Sequence, residues 1–198
     1  RGLFANPPGL IYGDFTDAVL IDDFPIPPHW RRVVGIDFGG ANLALIWLAQ
    51  DPATAVWYAY HEELKGGLST PEYVGGARAR LAAEGVQQYD FAGGAGSEGQ
   101  ERRDWTAAGL HVWEPAFDAV EAGIGRVIGL LRTGRLRCFR SLRGLRDEFG
   151  SYSRKVDDQG EVLEDILDKR RFHRLDALRY AGVFIEAGAK DGEAGYLF

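Results

Sequence analysis

Five side chains in the 198-residue chain have the types and spacing to share divalent-metal chemistry: Asp37, Asp90, Glu98, His173 and Asp176. Asp37 ends the apolar run "VVGID" just ahead of Gly39-Gly40. That placement suits a metal ligand, a brace for the phosphates of a nucleotide, or a turn cap. Asp90 lies inside "VQQYDFAGGA", and Glu98 follows the Gly93-Gly94-Ala95-Gly96 turn. His173 and Asp176 are spaced i, i+3 and so share one helix face. Carboxylates that converge form the all-oxygen environment that Mg²⁺ and Mn²⁺ prefer. Two such ions about 4 Å apart activate a water and stabilise the leaving oxygen of a phosphodiester. Each residue also has a plainer reading. Asp37 caps a turn, Glu98 is a first-turn acid favoured by the helix dipole, and Asp90 is a strand residue facing solvent. His173 is then a helix residue without chemistry, and Asp176 a surface acid near Arg179. Only their joint placement at the carboxyl ends of strands favours the metal.

Strands whose ends meet a helix are needed to bring these groups together. Residues 33–38 read as a buried strand, with 42–49 as its hairpin partner across Gly39-Gly40. "AVWYAYHE" (55–62), aromatic and β-branched, makes a third strand. Pro71 suits the first turn of a helix over 71–84 that Gly85 stops. A fourth strand covers 86–95, and Ser97 is placed to cap a helix over 98–108. "LHVW" is a short strand, 118–132 a helix with Ile124, Val127 and Leu131 at helical spacing, and "RLRCF" another strand. A helix over 141–149 precedes a polar stretch, 151–168, read as a loop or mobile hairpin turned at "DDQG". The closing helix spans 172–187.

Three consecutive strands predict an antiparallel meander, and the later alternation predicts parallel strands with helices on both faces. The fold class is therefore α/β with a mixed sheet. Residues 1–32, with "PIPPHW", read as an extended lead-in or linker, 33–190 as the domain, and 191–198 as a tail.

A single cysteine, Cys138, excludes an internal disulfide and any multi-thiolate metal site. No apolar run approaches the roughly 20 residues that cross a bilayer, and no signal-peptide pattern is present. The chain opens at Arg1 without a Met, which suggests an excised piece of a longer protein. A net charge of −6 argues against nucleic acid, but the average hides segregation. Seven arginines and no acid lie between Arg126 and Arg146, and a second basic group runs from Lys169 to Arg179. Such a distribution guides a polyanion to one face, although a solvated helix face accounts for it equally well.

The segments "IDDFPIPPHWRRVVGIDFGGANLAL", "FAGGAGSEGQERRDWTAAGLHV", "DAVEAGIGRVIGLLRTGRLRCF", "EFGSYSRKVDDQGE" and "DKRRFHRLDALRY" occur in that order. Together they resemble the nuclease domain of the large terminase subunit of tailed bacteriophages, a ribonuclease-H-like family, over nearly the whole chain. The His-x-x-Asp spacing of the last segment is the most specific part. The resemblance implies metal-dependent, sequence-tolerant cleavage of double-stranded DNA concatemers during genome packaging in the host cytoplasm. It implies Asp37 as the first-strand ligand of two Mg²⁺ or Mn²⁺ ions and Asp176 as the closing-helix ligand. His173 beside it becomes a metal-site or water-orienting residue. Many relatives carry an Asp where this chain has Gly94 or Ala95. Glu98 is assigned that role, with Asp90 in reserve because residues 90 and 94 share a strand face. Arg135, Arg137, Arg140, Arg143, Arg170, Arg171 and Arg174 are the expected contacts to the DNA backbone. The other implied partners are an N-terminal packaging ATPase domain, a portal protein and a small terminase subunit. The chain has no G-x-x-x-x-G-K-[ST] loop and so is not itself the ATPase.

Two readings of other classes compete. "GIDFGG" is similar to the first phosphate loop of sugar kinases and actin-like ATPases, but no second such hairpin follows. A non-catalytic DNA-docking module would use the arginines and leave the acids structural, with affinity falling steeply in salt. A Holliday-junction resolvase, of the same fold, would prefer branched DNA.

Overall fold

The structure, a computed structural model, describes residues 8–188. Its centre is β2 (Arg31–Asp37), buried at every position but the first because both faces are covered. It pairs antiparallel with β3 (Asn42–Gln50), which pairs antiparallel with β4 (Trp57–Gly66), so the expected meander is present. On its other side β2 lies parallel to β5 (Tyr89–Gly93), and β5 parallel to β6 (Val112–Trp113). Beyond β4 come β7 (Leu136–Phe139) and β1 (Leu20–Ile21), also parallel. The sheet order is β1-β7-β4-β3-β2-β5-β6. Every strand of this sheet except β3 therefore runs the same way, and their carboxyl ends share one edge.

Strand alternation sends successive side chains into two layers. Val33, Ala44 and Ile46 face the layer of α3 (Val120–Arg132), α4 (Arg143–Ser151) and α5 (His173–Ala187). Val34, Ile36, Leu45 and Trp47 face α1 (Thr70–Ala83) and α2 (Gly99–Ala107). Leu175, Leu178 and Val183 of α5 are buried, each contributing about 1.5–3 kcal/mol of hydrophobic stabilisation. Over β2 the helix comes closer than side chains normally permit. A Cβ on Gly35 would stand 2.0 Å from the Ala177 carbonyl oxygen, so Gly35→Ala would force α5 off the sheet.

The lead-in contributes to this core as well. Tyr12, Val19 and Leu20 are buried, Phe15 stacks on Phe149 at 4.0 Å, and Arg31 and Arg32 already belong to β2. Its aromatic and aliphatic side chains give the segment enough apolar area to offset the ordering of its backbone. Residues 1–7 and the expected tail, 191–198, lie outside the described residues. The polar stretch after α4 forms an antiparallel ribbon, β8 (Arg154–Val156) and β9 (Val162–Ile166). Asp157 makes its turn by accepting the amide hydrogens of Gln159 at 2.9 Å and Glu161 at 2.8 Å.

Candidate metal and nucleic-acid site

Asp37 closes β2 at the shared carboxyl edge, and by strand parity its side chain points toward α5. Gly39 makes the following turn at φ +29°; a Cβ there would meet the Asn42 carbonyl at 2.3 Å and His173 Nδ1 at 3.0 Å. The bare turn lets His173, the first residue of α5, lie against the acid, with Nδ1 2.7 Å from Asp37 Oδ2. Asp176 stands one helical turn further on. Its Oδ1 accepts from Nε and Nη2 of Arg179, each at 3.1 Å. Arg179 is itself buried, passing over Gly123, where a Cβ would sit 2.5 Å from its Cγ.

Glu98 lies in the 3-10 turn Gly96–Glu98 that follows β5, and its Oε2 accepts the Ala95 amide hydrogen at 2.6 Å. Ser97, the expected cap, is exposed and forms no cap bond. The turn is pinned by Arg102, which donates to the carbonyls of Ala95 at 2.8 Å and Gly93 at 3.3 Å. Gly94 sits at φ +78°, and a Cβ would come within 2.8 Å of the Phe38 ring and 2.9 Å of Arg102 Nη1. Of the two positions where the resemblance leads one to expect an acid, Gly94 thus has no room for a side chain, and Ala95 carries only a methyl group.

Burial pushes the Asp37 carboxyl up to about 6, partly offset by its hydrogen bond with His173, while the charges of Asp176 and Glu98 raise it further. Acids of two other elements, α5 and the turn after β5, thus act on Asp37. Asp90 belongs elsewhere. It is paired in register with Val33, about 13 Å back along the strand from Asp37. There it is buried, bound to Arg31 Nη2 at 2.6 Å and Trp113 Nε1 at 3.1 Å. The expectation of a solvent-facing strand residue fails because β6 and Arg31 cover it.

No protein-family model and no curated protein matches the sequence. Solved structures do. The nuclease domain of the bacteriophage P22 large terminase aligns at TM-score 0.66 and 22% identity, covering 86% of this chain and 89% of that one. The large terminase of a thermophilic bacteriophage, in complex with ADP, aligns at TM-score 0.72 and 19% identity, over 91% of this chain. This chain spans about half of that protein, 46% of its length. The g2p large-terminase nuclease domain of bacteriophage SPP1, with bound Mn, aligns at TM-score 0.60 and 20% identity, over 82% and 93% of the two chains. The fold is that of a large-terminase nuclease domain.

On this ribonuclease-H-like terminase fold, Asp37, Asp176 and Glu98 offer oxygen donors only, the donor type hard divalent cations favour. The raised Asp37 carboxyl reflects its burial first and the neighbouring acids second. Among the described residues no three His, Cys, Asp or Glu side chains are grouped closely enough to hold an ion. The carboxylates instead take protein donors: His173 for Asp37, Arg179 for Asp176, and the Ala95 amide for Glu98.

The terminase fold divides the expected DNA-binding arginines. Arg140 and Arg143 follow β7 at the same sheet edge as Asp37, and Arg170 and Arg171 lie in the 3-10 turn just before α5. All four are exposed; Arg140 pairs with Asp22 and Arg171 with Asp168, whereas Arg143 and Arg170 make no ion pair with the described residues. Arg135 precedes β7 at the opposite edge, bound at 2.7 Å to Glu186 near the far end of α5. Arg137 donates to the Ala18 carbonyl at 2.7 Å. Arg174 is turned inward between Glu62 at 3.0 Å and Glu148 at 3.1 Å. Topology and ion pairing thus set Arg135 and Arg174 apart from the four exposed arginines of the shared edge. Arg102 and Glu148 are absent from the sequence-derived set. A charged residue on an otherwise apolar helix face, as with Arg102 beside Trp105, is the one signal that could have found them.

Proposed function

We propose that this chain is a metal-dependent endonuclease for double-stranded DNA, the nuclease part of a large terminase acting in phage genome packaging. The observation that carries the reading is the contact of Asp37 with His173, which joins the end of β2 to the start of α5 and places Asp176 one turn away. Asp37, Glu98 and Asp176 would hold the Mg²⁺ or Mn²⁺ ions, a pair of them in this reading. Bound ions would activate water and neutralise charge on the phosphodiester. His173 fixes the Asp37 carboxylate through Nδ1. Arg102 keeps the turn bearing Glu98 in place. Arg140, Arg143, Arg170 and Arg171 hold the DNA backbone at the shared edge, which gives affinity without sequence preference. SPP1 g2p with bound Mn supports the choice of ion, and the longer ADP-bound terminase of the thermophilic phage supports an ATPase domain ahead of this one. The portal protein, the small subunit and the host cytoplasm follow from the same reading.

Incubating the chain with supercoiled plasmid in Mg²⁺ or Mn²⁺ tests it. Nicked and linear products that vanish with EDTA and with Asp176→Asn are expected. DNA binding without any cutting, in either ion and across a wide protein range, would instead favour the docking module.

A further inference from the structure

We infer that Glu62, Glu148 and Arg174 form an internal clip that positions the first turn of α5, and with it His173 and Asp176, over the end of β2. Glu62, on β4, accepts the amide hydrogens of Gly144 at 2.8 Å and Leu145 at 2.6 Å, so a strand carboxylate caps α4. One turn on, Glu148 accepts the Leu175 amide hydrogen at 2.9 Å, so a carboxylate of α4 caps α5. Arg174 bridges both acids, with Nε 3.0 Å from Glu62 and Nη1 3.1 Å from Glu148. The three side chains are largely shielded, at 16%, 10% and 21% exposure for Glu62, Glu148 and Arg174. Gly144 is what lets the guanidinium in, since a Cβ there would lie 2.5 Å from Arg174 Cζ.

The connectivity explains what the clip accomplishes. Between α4 and α5 the chain leaves for the β8–β9 ribbon, most of whose residues are exposed. The start of α5 is otherwise held by the packing of Phe172, Leu175 and Ala177 and by the contact of His173 with Asp37. The clip ties it directly to α4 and to the sheet. Glu148 bonds the amide of Leu175, one of the two residues between His173 and Asp176, and Arg174 is the other. These are positioning residues, since none of the three approaches Asp37. Their effect on metal affinity rests on the proposed metal site, whereas the clip itself does not.

The test uses the whole chain with Glu148→Ala, Glu148→Gln and Arg174→Gln. Hydrogen exchange by NMR reports on the Leu175 amide, and Mn²⁺ affinity is read by electron paramagnetic resonance. In E148A and R174Q the Leu175 amide should exchange at least about tenfold faster while amides of β3 keep their protection, and Mn²⁺ should bind about tenfold more weakly. Gln keeps an acceptor for that amide, so E148Q should recover part of both losses. Uniformly faster exchange with unchanged Mn²⁺ affinity in the folded fraction would overturn the inference, leaving the cluster a plain stabilising one. So would unchanged Leu175 exchange in folded E148A. A wild-type chain that binds no Mn²⁺ would sink the metal reading, and the exchange data would then decide the clip alone.

Discussion

Nδ1 of His173 and Oδ2 of Asp37 meet at 2.7 Å although 136 residues separate them in sequence. The contact is the point at which the central strand and the last helix become one site. His173→Gln should therefore lower cleavage by about 10–100-fold, as removal of a group that orients a metal ligand does, with the circular dichroism spectrum unchanged. Full activity would place His173 outside the site.

Asp37 sets a pH dependence whose sign follows from linkage. Its carboxyl, normally near 3.8, is held up to about 6, so between those values the folded chain binds more protons than the unfolded one. Stability falls as pH rises across that window, and the full penalty of up to about 3 kcal/mol is present above it. Asp37→Asn should abolish cutting yet melt higher than wild type at pH 8, with the gap closing toward pH 4. Mn²⁺ should raise the wild-type melting temperature only as pH climbs through about 6. A variant that melts lower at pH 8 would contradict the buried-charge account.

Glu98 and Asp90 should part company on mutation. Glu98→Gln removes a proposed ligand and should end cleavage at little cost to folding. Asp90→Asn should cut once folded but lose about 1–3 kcal/mol, because the partly shielded Arg31 keeps its charge and loses its acid. The reverse pattern would move the second acid to Asp90.

The basic edge is tested by salt. Replacing Arg143, Arg170 and Arg171 by Ala should reduce the slope of log affinity against log salt by about 0.9 for each phosphate no longer neutralised. Arg135→Ala, at the opposite edge and bound to Glu186, should leave the slope unchanged. Equal effects would mean that DNA runs over both edges.

Gly94→Asp asks whether the acid could be moved back to one of its two expected places. With φ at +78° and the Phe38 ring 2.8 Å from any Cβ, the substitution should destabilise by more than about 2 kcal/mol. It should also fail to rescue Glu98→Gln in a plasmid assay. Restored cutting would show that the turn rearranges freely.

Periodicity made most of the architecture legible. The meander, the buried parallel strands and the helices α1 to α5 follow from alternation, Gly stops and Pro71, with boundaries displaced by a few residues. β1 escaped because two residues of strand carry no period, and its partner β7 lies more than a hundred positions downstream. For the site, types and spacing brought out Asp37, His173 and Asp176, since i, i+3 on a helix is a local rule. What Asp90 and Arg174 do is decided by partners distant in sequence, Arg31 for one and Glu62 for the other. Local pattern holds no information about such pairings.

The close approach of Gly35 to the Ala177 carbonyl has a consequence for evolution of the site. Where two elements meet through side chains, a substitution shifts the gap by a methyl group's width, and neighbours can re-adjust. Here main chain rests on main chain, a surface that sequence drift cannot reshape by exchanging rotamers. The height of the helix above the strand is thus a fixed reference, and variation elsewhere in the core can accumulate without changing the distance between the groups at its end. Gly35, two residues before Asp37 on the same face of β2, is a residue whose loss that tolerance could not absorb.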